Sequence, residues 1–293
     1  MSSFSSKDLR LTLTLSDQNT KFASTGSNVL VLSGLWTTVN AIAVKNAIPQ
    51  VSVDVIGMSL DHMQALTVLF VNTKPYLPEN TLMIEIYDGV SWHKFFEGGV
   101  TWANPDYNQA PNVVFHIFAN VIAAQQNAAV KPSSYPNDTK IVTIANDIAT
   151  ETGYALSAAS QLVTGTLAGS LYFAGTPVQK LEELREMAHL DYYLSHSHKT
   201  LTIVEAGGII AKNSQFTLNL NTGLIGWPVL ERGYLTFKSL YNPVFADWQT
   251  FYVTSAVANA NGLWSPVRMS HVLSTQVGDG SWYSLISAVR APS

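Results

Sequence analysis

From Phe216 to Ser293 the chain reads as four short strands cut by residues that force turns, and this punctuation constrains its fold more than any other feature. Gly223 and Gly226 permit positive φ, and Pro228 pushes Trp227 toward an extended conformation, so Gly223 to Pro228 is a bend. A strand is predicted over 234–240, stopped at Tyr241-Asn242-Pro243, where proline can neither donate to a ladder nor follow a helical residue. The next is predicted over 248–257, with Asn259 to Gly262 as its hairpin turn, because Asn-Gly is the strongest short-range hairpin cue. Residues 267–275 return along it. Gly278-Asp279-Gly280 then turns the chain into 282–289, where Trp282, Ser284, Ile286 and Ala288 alternate in facing with Tyr283, Leu285, Ser287 and Val289.

The N-terminal part shows the same period. Leu9 to Leu15 alternates strictly, placing four leucines on one face and Arg10, Thr12 and Thr14 on the other. Asp17 to Asn28 is a polar loop, 29–32 a short strand closed by Ser33-Gly34, and 35–44 continues extended. Val51, Val53 and Val55 again share one face. Ser59 caps a helix expected to run from Leu60 to about Leu69 and to plug one end of a barrel. Pro75 and Pro78 break it. Leu82, Ile84 and Ile86 mark a strand turned by Asp88-Gly89. Residues 92–102, with Gly98-Gly99 as a bulge, pair with 112–122 across a polar loop centred on Asn104-Pro105-Asp106.

Helical signals are confined to the middle. Lys131 to Asn137, with Pro132 and Pro136, reads as a linker, after which Asp138 caps a helix whose Ile141, Ile144, Ala145 and Ile148 fall at helical spacing. Gly153 ends it. Thr176-Pro177-Val178-Gln179 combines an N-cap, proline at the first helical position and a capping-box glutamine, with Leu181, Leu184 and Ala188 facing inward. Asp191 to Leu194 and Leu201 to Val204 flank a hairpin tip at Ser195 to Thr200. No repeat of solenoid or propeller period is visible. The division expected is 1–127, a β-domain; 128–205, a small α+β domain; and 206–293, a second β-domain.

Composition narrows the function classes. Only 12% of the 293 residues are charged, against about 25% in ordinary globular proteins, while 47% are apolar, enough for a substantial core. Uncharged polar surface is buried against a partner at far lower cost than unpaired Lys or Glu, which suits an assembly component. The net charge is −4 and there is no run of Lys or Arg that would track phosphates. Zero cysteines exclude disulfides and thiolate metal sites. The first residues lack a basic region followed by an apolar core, and no apolar run reaches the roughly 18 residues of a membrane span.

Gly-Leu-Ile-Gly-Trp-Pro (223–228), Leu240-Tyr241-Asn242-Pro243, Asn261-Gly262 with Trp264, Ser270-His271-Val272-Leu273 and Gly280-Ser281-Trp282 follow one another in an order and spacing that resembles the C-terminal part of the central baseplate hub of contractile-tailed bacteriophages. A weaker likeness extends over the whole chain. The resemblance implies a mainly β fold of two tail-tube-like antiparallel β-barrel domains plus a small helical and hairpin domain. It also implies a non-enzymatic virion protein, assembled in the host cytoplasm as a homotrimer whose two β-domains per subunit present a pseudo-sixfold ring. The partners implied are the central spike, the tail tube or tube-initiator proteins, the tape measure protein and the baseplate wedge. DNA is implied only as passing cargo.

No residue is assigned a catalytic, cofactor-binding or metal-binding role. His196 and His198 form a His-x-His pair that could chelate zinc from one strand face, with His189 and Glu205 the nearest further ligands, yet metal sites need three or four converging ligands and the segment reads as a solvated turn. Glu182, Glu183 and Glu186 could suggest a glycosidase pair but lie with Arg185 on the wet face of one helix. Ser270-His271 sits in a strand pattern without a nucleophile elbow. Gly165, Gly169, Gly207 and Gly208 lack phosphate-loop spacing. Trp36, Trp92, Trp102, Trp248, Trp264 and Trp282 fall within or at the ends of strands, and are read as core or subunit contacts rather than sugar platforms. Two other function classes follow from these features: a receptor- or carbohydrate-binding tail protein, and a tail-associated cell-wall hydrolase.

Overall fold

A computed structural model of the chain describes residues 7–17, 19–67, 80–126, 130–158, 162, 164–210, 213–276 and 280–291. They are mainly β with a small helical part and pack as two compact units that interleave along the sequence.

The first unit comprises residues 1–42, 50–124 and 271–283. It holds β1 (Asp8–Thr14), β2 (Val29–Ser33), β3 (Trp36–Val44), β4 (Gln50–Ile56), α1 (Leu60–Leu66), β5 (Thr81–Tyr87), β6 (Trp92–Asp106) and β7 (Val114–Asn120). The strand order is β3-β4-β7-β6-β5-β1-β2, antiparallel at the pairings that link β4, β7, β6, β5, β1 and β2 and at β3 to β4. Strict alternation puts Leu9, Leu11, Leu13, Val51, Val53, Val55, Leu82, Ile84 and Ile86 into one interior, as expected for half-buried strands. The sheet curls strongly. Thr275, from residues 271–275 that lie beside β3, donates its hydroxyl to Asp8 on β1 at 3.0 Å although five strands separate them in the order, and Phe95 meets His271 edge-on at 5.7 Å. Ser59 caps α1 through the amide of His62, and Met63 and Leu66 are its buried face. The helix ends at Leu66. Residues 68 and 69, together with Pro75 and Pro78, lie outside the described residues.

The expected bulge at Gly98-Gly99 is displaced. β6 is one strand of fifteen residues with register shifts at two other places: Ile84 faces Phe96 while Glu85 faces Lys94, and Val100 faces Ala119 while Trp102 faces Phe118. Phe95 and Thr101 are therefore the surplus residues, and both Phe95 and Phe96 are buried. Gly98 serves close approach instead, since a Cβ there would collide with the carbonyl of Asn120. Asn104-Pro105-Asp106 belongs to the end of β6, and the turn falls at Tyr107–Gln109.

The second unit comprises residues 43–49, 125–270 and 284–293. After the single turn α2 (Ala123–Gln126), its strands and helices are β8 (Ser133–Tyr135), β9 (Thr139–Lys140), α3 (Ile141–Thr152), β10 (Ala155–Ala158), β11 (Thr166–Leu167), β12 (Leu171–Phe173), α4 (Pro177–Ala188), β13 (Leu190–Leu194), β14 (Thr200–Glu205), β15 (Asn213–Leu218), β16 (Leu224–Glu231), β17 (Tyr234–Leu240), β18 (Thr250–Val253), β19 (Gly262–Thr275) and β20 (Trp282–Arg290). α2, β3, β19 and β20 each contribute residues to both units. The linker reading of 131–137 is corrected: β8 lies inside it and pairs with β12. The cap of α3 is Lys140, without a side-chain bond, and Asp138 is left with φ of 62°. Gly153, at φ of 72°, closes α3 in the left-handed conformation that glycine adopts without strain. At α4 the whole capping box forms, Thr176 to the amide of Gln179 and Gln179 back to the amide of Thr176.

The C-terminal strands run β16-β17-β20-β19, with β18 antiparallel to β19 and β15 parallel to β18. The Gly-Leu-Ile-Gly-Trp-Pro bend is the irregularity within β16, where the register to β17 shifts between Ile225 and Val229. The strand expected over 248–257 shrinks to β18, because Trp248 adopts a left-handed conformation at the end of a 3₁₀ turn, and a second 3₁₀ turn at Ala258–Ala260 replaces the tight hairpin. Gly278 and Asp279 lie outside the described residues. Phe237, Phe245, Phe251, Trp248, Trp264 and Ile286 form the core here, and Tyr193 and Val204 join it from the middle of the chain.

Candidate assembly surface

β16 stands at the end of the strand order in the second unit and pairs only with β17 among the described residues. Its alternation fails. Leu224 and Pro228 are buried, whereas Ile225, Trp227, Val229 and Leu230 are exposed, Trp227 by 60%. β17 alternates cleanly, with Leu235, Phe237 and Ser239 inward and Tyr234, Thr236 and Leu240 outward. On β20, Leu285 is exposed and Ser287 meets Thr236 at 3.2 Å. Monomeric proteins rarely keep so many neighbouring apolar side chains wet, and such patches mark contact surfaces.

Beside this edge the outward face carries a groove of about 490 Å³. Val44, Val267, Val289 and Tyr234 supply its apolar lining, Thr236 and Ser287 its hydroxyls, and Lys45, Glu231, Arg232 and Arg268 its charges. Lys45 is already engaged, 2.6 Å from Asp191. That carboxylate also accepts from Asn46 Nδ2 at 2.6 Å and from the amide of Gly207 at 2.7 Å. Burial pulls the Asp191 pKa up, but Asn46, Lys45 and Gly207 together outweigh it and hold the group below the usual aspartate range. The turn after β3 is thereby fastened to β13, with Asn46 also bridging to Tyr192 through both backbone groups.

The residues considered for chemistry are dispersed. His196 is buried and His198 exposed, so the pair does not offer two rings to one ligand, and the solvated-turn reading is corrected as well, because Ser195, His196 and Ser197 are all buried. Burial, with His198 nearby, pulls the His196 pKa down to about 4. Among the described residues no three His, Asp or Glu side chains gather as a metal would require. Glu186 is exposed as expected of a wet helix face, but Glu182 is committed, accepting from Tyr192 Oη at 2.6 Å and Arg185 Nε at 2.7 Å. Burial, reinforced by that bond, raises the Tyr192 pKa. His271 is a buried strand residue against Phe95.

The tryptophans divide. Trp248 and Trp264 are buried, each donating its indole N–H to a carbonyl, of Leu194 at 3.2 Å and of Ala260 at 2.8 Å. Trp36 and Trp227 are exposed. Trp92 lies under the Arg10 guanidinium at 4.4 Å, and Trp102 packs on Phe118 at 5.2 Å on the outside of the first unit. The groove and the wet edge strand are what the sequence did not reveal. Their residues come from four distant stretches whose only local signal was a run of apolar residues in the bend at 223–230.

No family model matches the chain, and no curated protein does. Solved structures do match. The 43 kDa tail protein of prophage MuSo2 from Shewanella oneidensis aligns over 97% of both chains with a TM-score of 0.61 at 12% identity. The tail protein from Neisseria meningitidis MC58 aligns over 97% of this chain and 96% of its own with a TM-score of 0.59 at 10% identity. The Escherichia coli c3393 protein, a component of the type VI secretion system described as structurally similar to the T4 bacteriophage tail proteins gp27 and gp5, covers 88% of this chain and 74% of its own with a TM-score of 0.62 at 8% identity. The chain has the fold shared by these phage tail proteins and the type VI secretion component.

Proposed function

We propose that the chain is a non-enzymatic structural hub of a phage tail baseplate, acting as a homotrimer that joins the tail tube to the central spike and lines the DNA path. The observation that carries this reading is a tail-protein fold that aligns over nearly the whole of this chain and of each of two tail proteins. Residues 1–127 and 206–293 supply the two tube-like β-domains and 128–205 the α+β domain between them, so that three copies offer six similar positions to a sixfold tube. The 12% charge content supports extensive burial of uncharged polar surface, and the wet apolar strand β16 supports a partner at that edge. Tube-initiator, tape measure and wedge proteins complete its neighbours in a contractile tail assembled in the host cytoplasm. Reconstruction of the tail tests this: the reading requires three copies around a central lumen, with more than about 2,000 Å² buried per pair. Density in six independent copies, or at the baseplate periphery, overturns it.

A receptor- or carbohydrate-binding role is the second reading, favoured by the exposure of Trp227 and Trp36. It requires glycan binding that is lost in Trp227→Ala.

A further inference from the structure

In one part of the second unit the sign of the charge runs against that of the chain. Over residues 43–49, 206–270 and 284–293, Lys45, Lys212, Arg232, Lys238, Arg268 and Arg290 are set against only Glu231 and Asp247, in a protein whose net charge is −4. The groove beside β16 is lined from these residues. Arg232 and Gly233, at φ of 50° and 86°, make the two-residue turn between β16 and β17, and this tight hairpin fixes where the Arg232 side chain starts. That side chain is 90% exposed and among the described residues reaches only its neighbour Glu231, at 3.9 Å. Arg268, exposed on β19, has no carboxylate partner among the described residues, whereas Lys45 is spent on Asp191. The half-buried side chains of Val44, Val267 and Val289 share the lining with the hydroxyls of Thr236 and Ser287, which are 3.2 Å apart.

The lining comes from β17, β20, β19 and the end of β3, which are neighbours in the strand order, so the groove crosses the strands instead of following one. Three steps between strands make it about 14 Å long, the span of about four residues of extended chain. We propose that it binds a short extended segment of another polypeptide that carries both Asp or Glu and aliphatic side chains. A guanidinium matches a carboxylate through two parallel bonds, so Arg232 and Arg268 recognise the acidic residues. The valines take the aliphatic side chains out of water. A segment lying across the strands cannot join their hydrogen-bond ladder, and the hydroxyls of Thr236 and Ser287 are there to meet its amides and carbonyls. Complementary charge of this kind selects the partner more than it sets raw affinity. Nucleic acid fits less well, because the valines offer nothing to a phosphate and Glu231 stands beside Arg232. The contact goes beyond the hub reading and holds whether or not the chain closes into a trimer.

The probe is an amidated hexapeptide, Glu-Val-Glu-Val-Glu-Val, with a fluorophore on its amino end, titrated with the full chain at low and high salt, read by anisotropy and competed with the unlabelled peptide. The expected result is saturable binding that salt weakens, and that is at least about tenfold weaker in Arg232→Gln with Arg268→Gln at an unchanged unfolding midpoint. Lys21→Gln with Lys140→Gln removes as much charge from exposed positions outside the groove and is expected to bind as the wild-type chain does. Carbodiimide coupling of the peptide to the Arg268→Lys variant is expected to attach a glutamate of the peptide to the introduced amine. Equal affinity in the arginine double variant, equal affinity for a peptide with lysine in place of glutamate, or no saturation by about 1 mM overturns the proposal. A peptide with serine in place of valine that binds as tightly, or a hexathymidylate strand that binds more tightly through the same arginines, overturns it in favour of a general polyanion site. Each of these outcomes leaves the hub reading to be judged on copy number in the tail.

Discussion

The ammonium of Lys180 on α4 lies 2.8 Å from Oε1 of Glu151 on α3, and only 1% of that lysine side chain reaches solvent. Its other hydrogens go to the carbonyl of Lys131 at 2.8 Å and the hydroxyl of Ser133 at 3.1 Å, so one charge ties both helices to β8. Removing one partner of a buried pair strands the other. Lys180→Ala is expected to cost about 3–5 kcal/mol, and Lys180→Met with Glu151→Leu to cost less than Lys180→Ala alone. Urea unfolding of the single and double variants measures the difference.

His196 makes stability fall with acidity. The unfolded chain takes up a proton near an ordinary histidine pKa of about 6.5, whereas the buried ring resists until about 4. Between those values the unfolded state holds more protons, so folding stability is full above the upper value and declines as pH drops toward the lower. Thermal unfolding followed across this window is expected to show a smaller decline in His196→Leu than in the wild-type chain. Parallel curves would remove His196 as the cause.

Leu11 and Val53 are almost wholly buried in the interior of the first unit. Leu11→Asp or Val53→Asp would place an unpaired carboxylate there, at a cost of several kcal/mol out of a total of about 5–15. Neither variant is expected in the soluble fraction on expression, and Thr12→Asp, on the outward face, is expected to stay there.

Gly98→Ala adds only one carbon, but the atom it meets is the backbone carbonyl of Asn120, which cannot swing aside as a side-chain tip would. A loss of about 1–3 kcal/mol is expected by chemical denaturation. Gly98 is not among the glycines at positive φ, so no left-handed strain adds to this collision.

Much of the fold could be read directly where one local rule acted alone. Leucines at alternate positions of β1 and the box at Thr176 and Gln179 needed no tertiary information. Elsewhere packing overrode the local signal. Asp138 is a good capping residue, yet the chain enters α3 two residues later through Lys140. Lys180, within Lys-Leu-Glu-Glu-Leu-Arg, has the local pattern of a solvated cation, and only the return of β8 past α4 buries it. The turn at Ser195 to Ser197 is polar by composition, but Trp248, some fifty residues on, reaches Leu194 beside it. The groove left no motif because its sides belong to β17, β19, β20 and the end of β3, and no window of sequence contains them together.

The surplus residues Phe95 and Thr101 give β6 a property of its own. Each slips the inside-outside phase by one position, and the two slips cancel, so both ends of the strand keep the same parity while its middle runs out of step. Deleting Thr101 would splice Val100 to Trp102 in the register they already keep with Ala119 and Phe118, leaving Val100 and Ala103 facing inward. Deleting Val100 instead would close the same slip but set Thr101 opposite Ala119, a hydroxyl in the place of a buried valine. The two deletions therefore restore one register and differ in a single inward side chain, whereas the other slip carries the buried Phe95 and closing it would cost the core an aromatic ring.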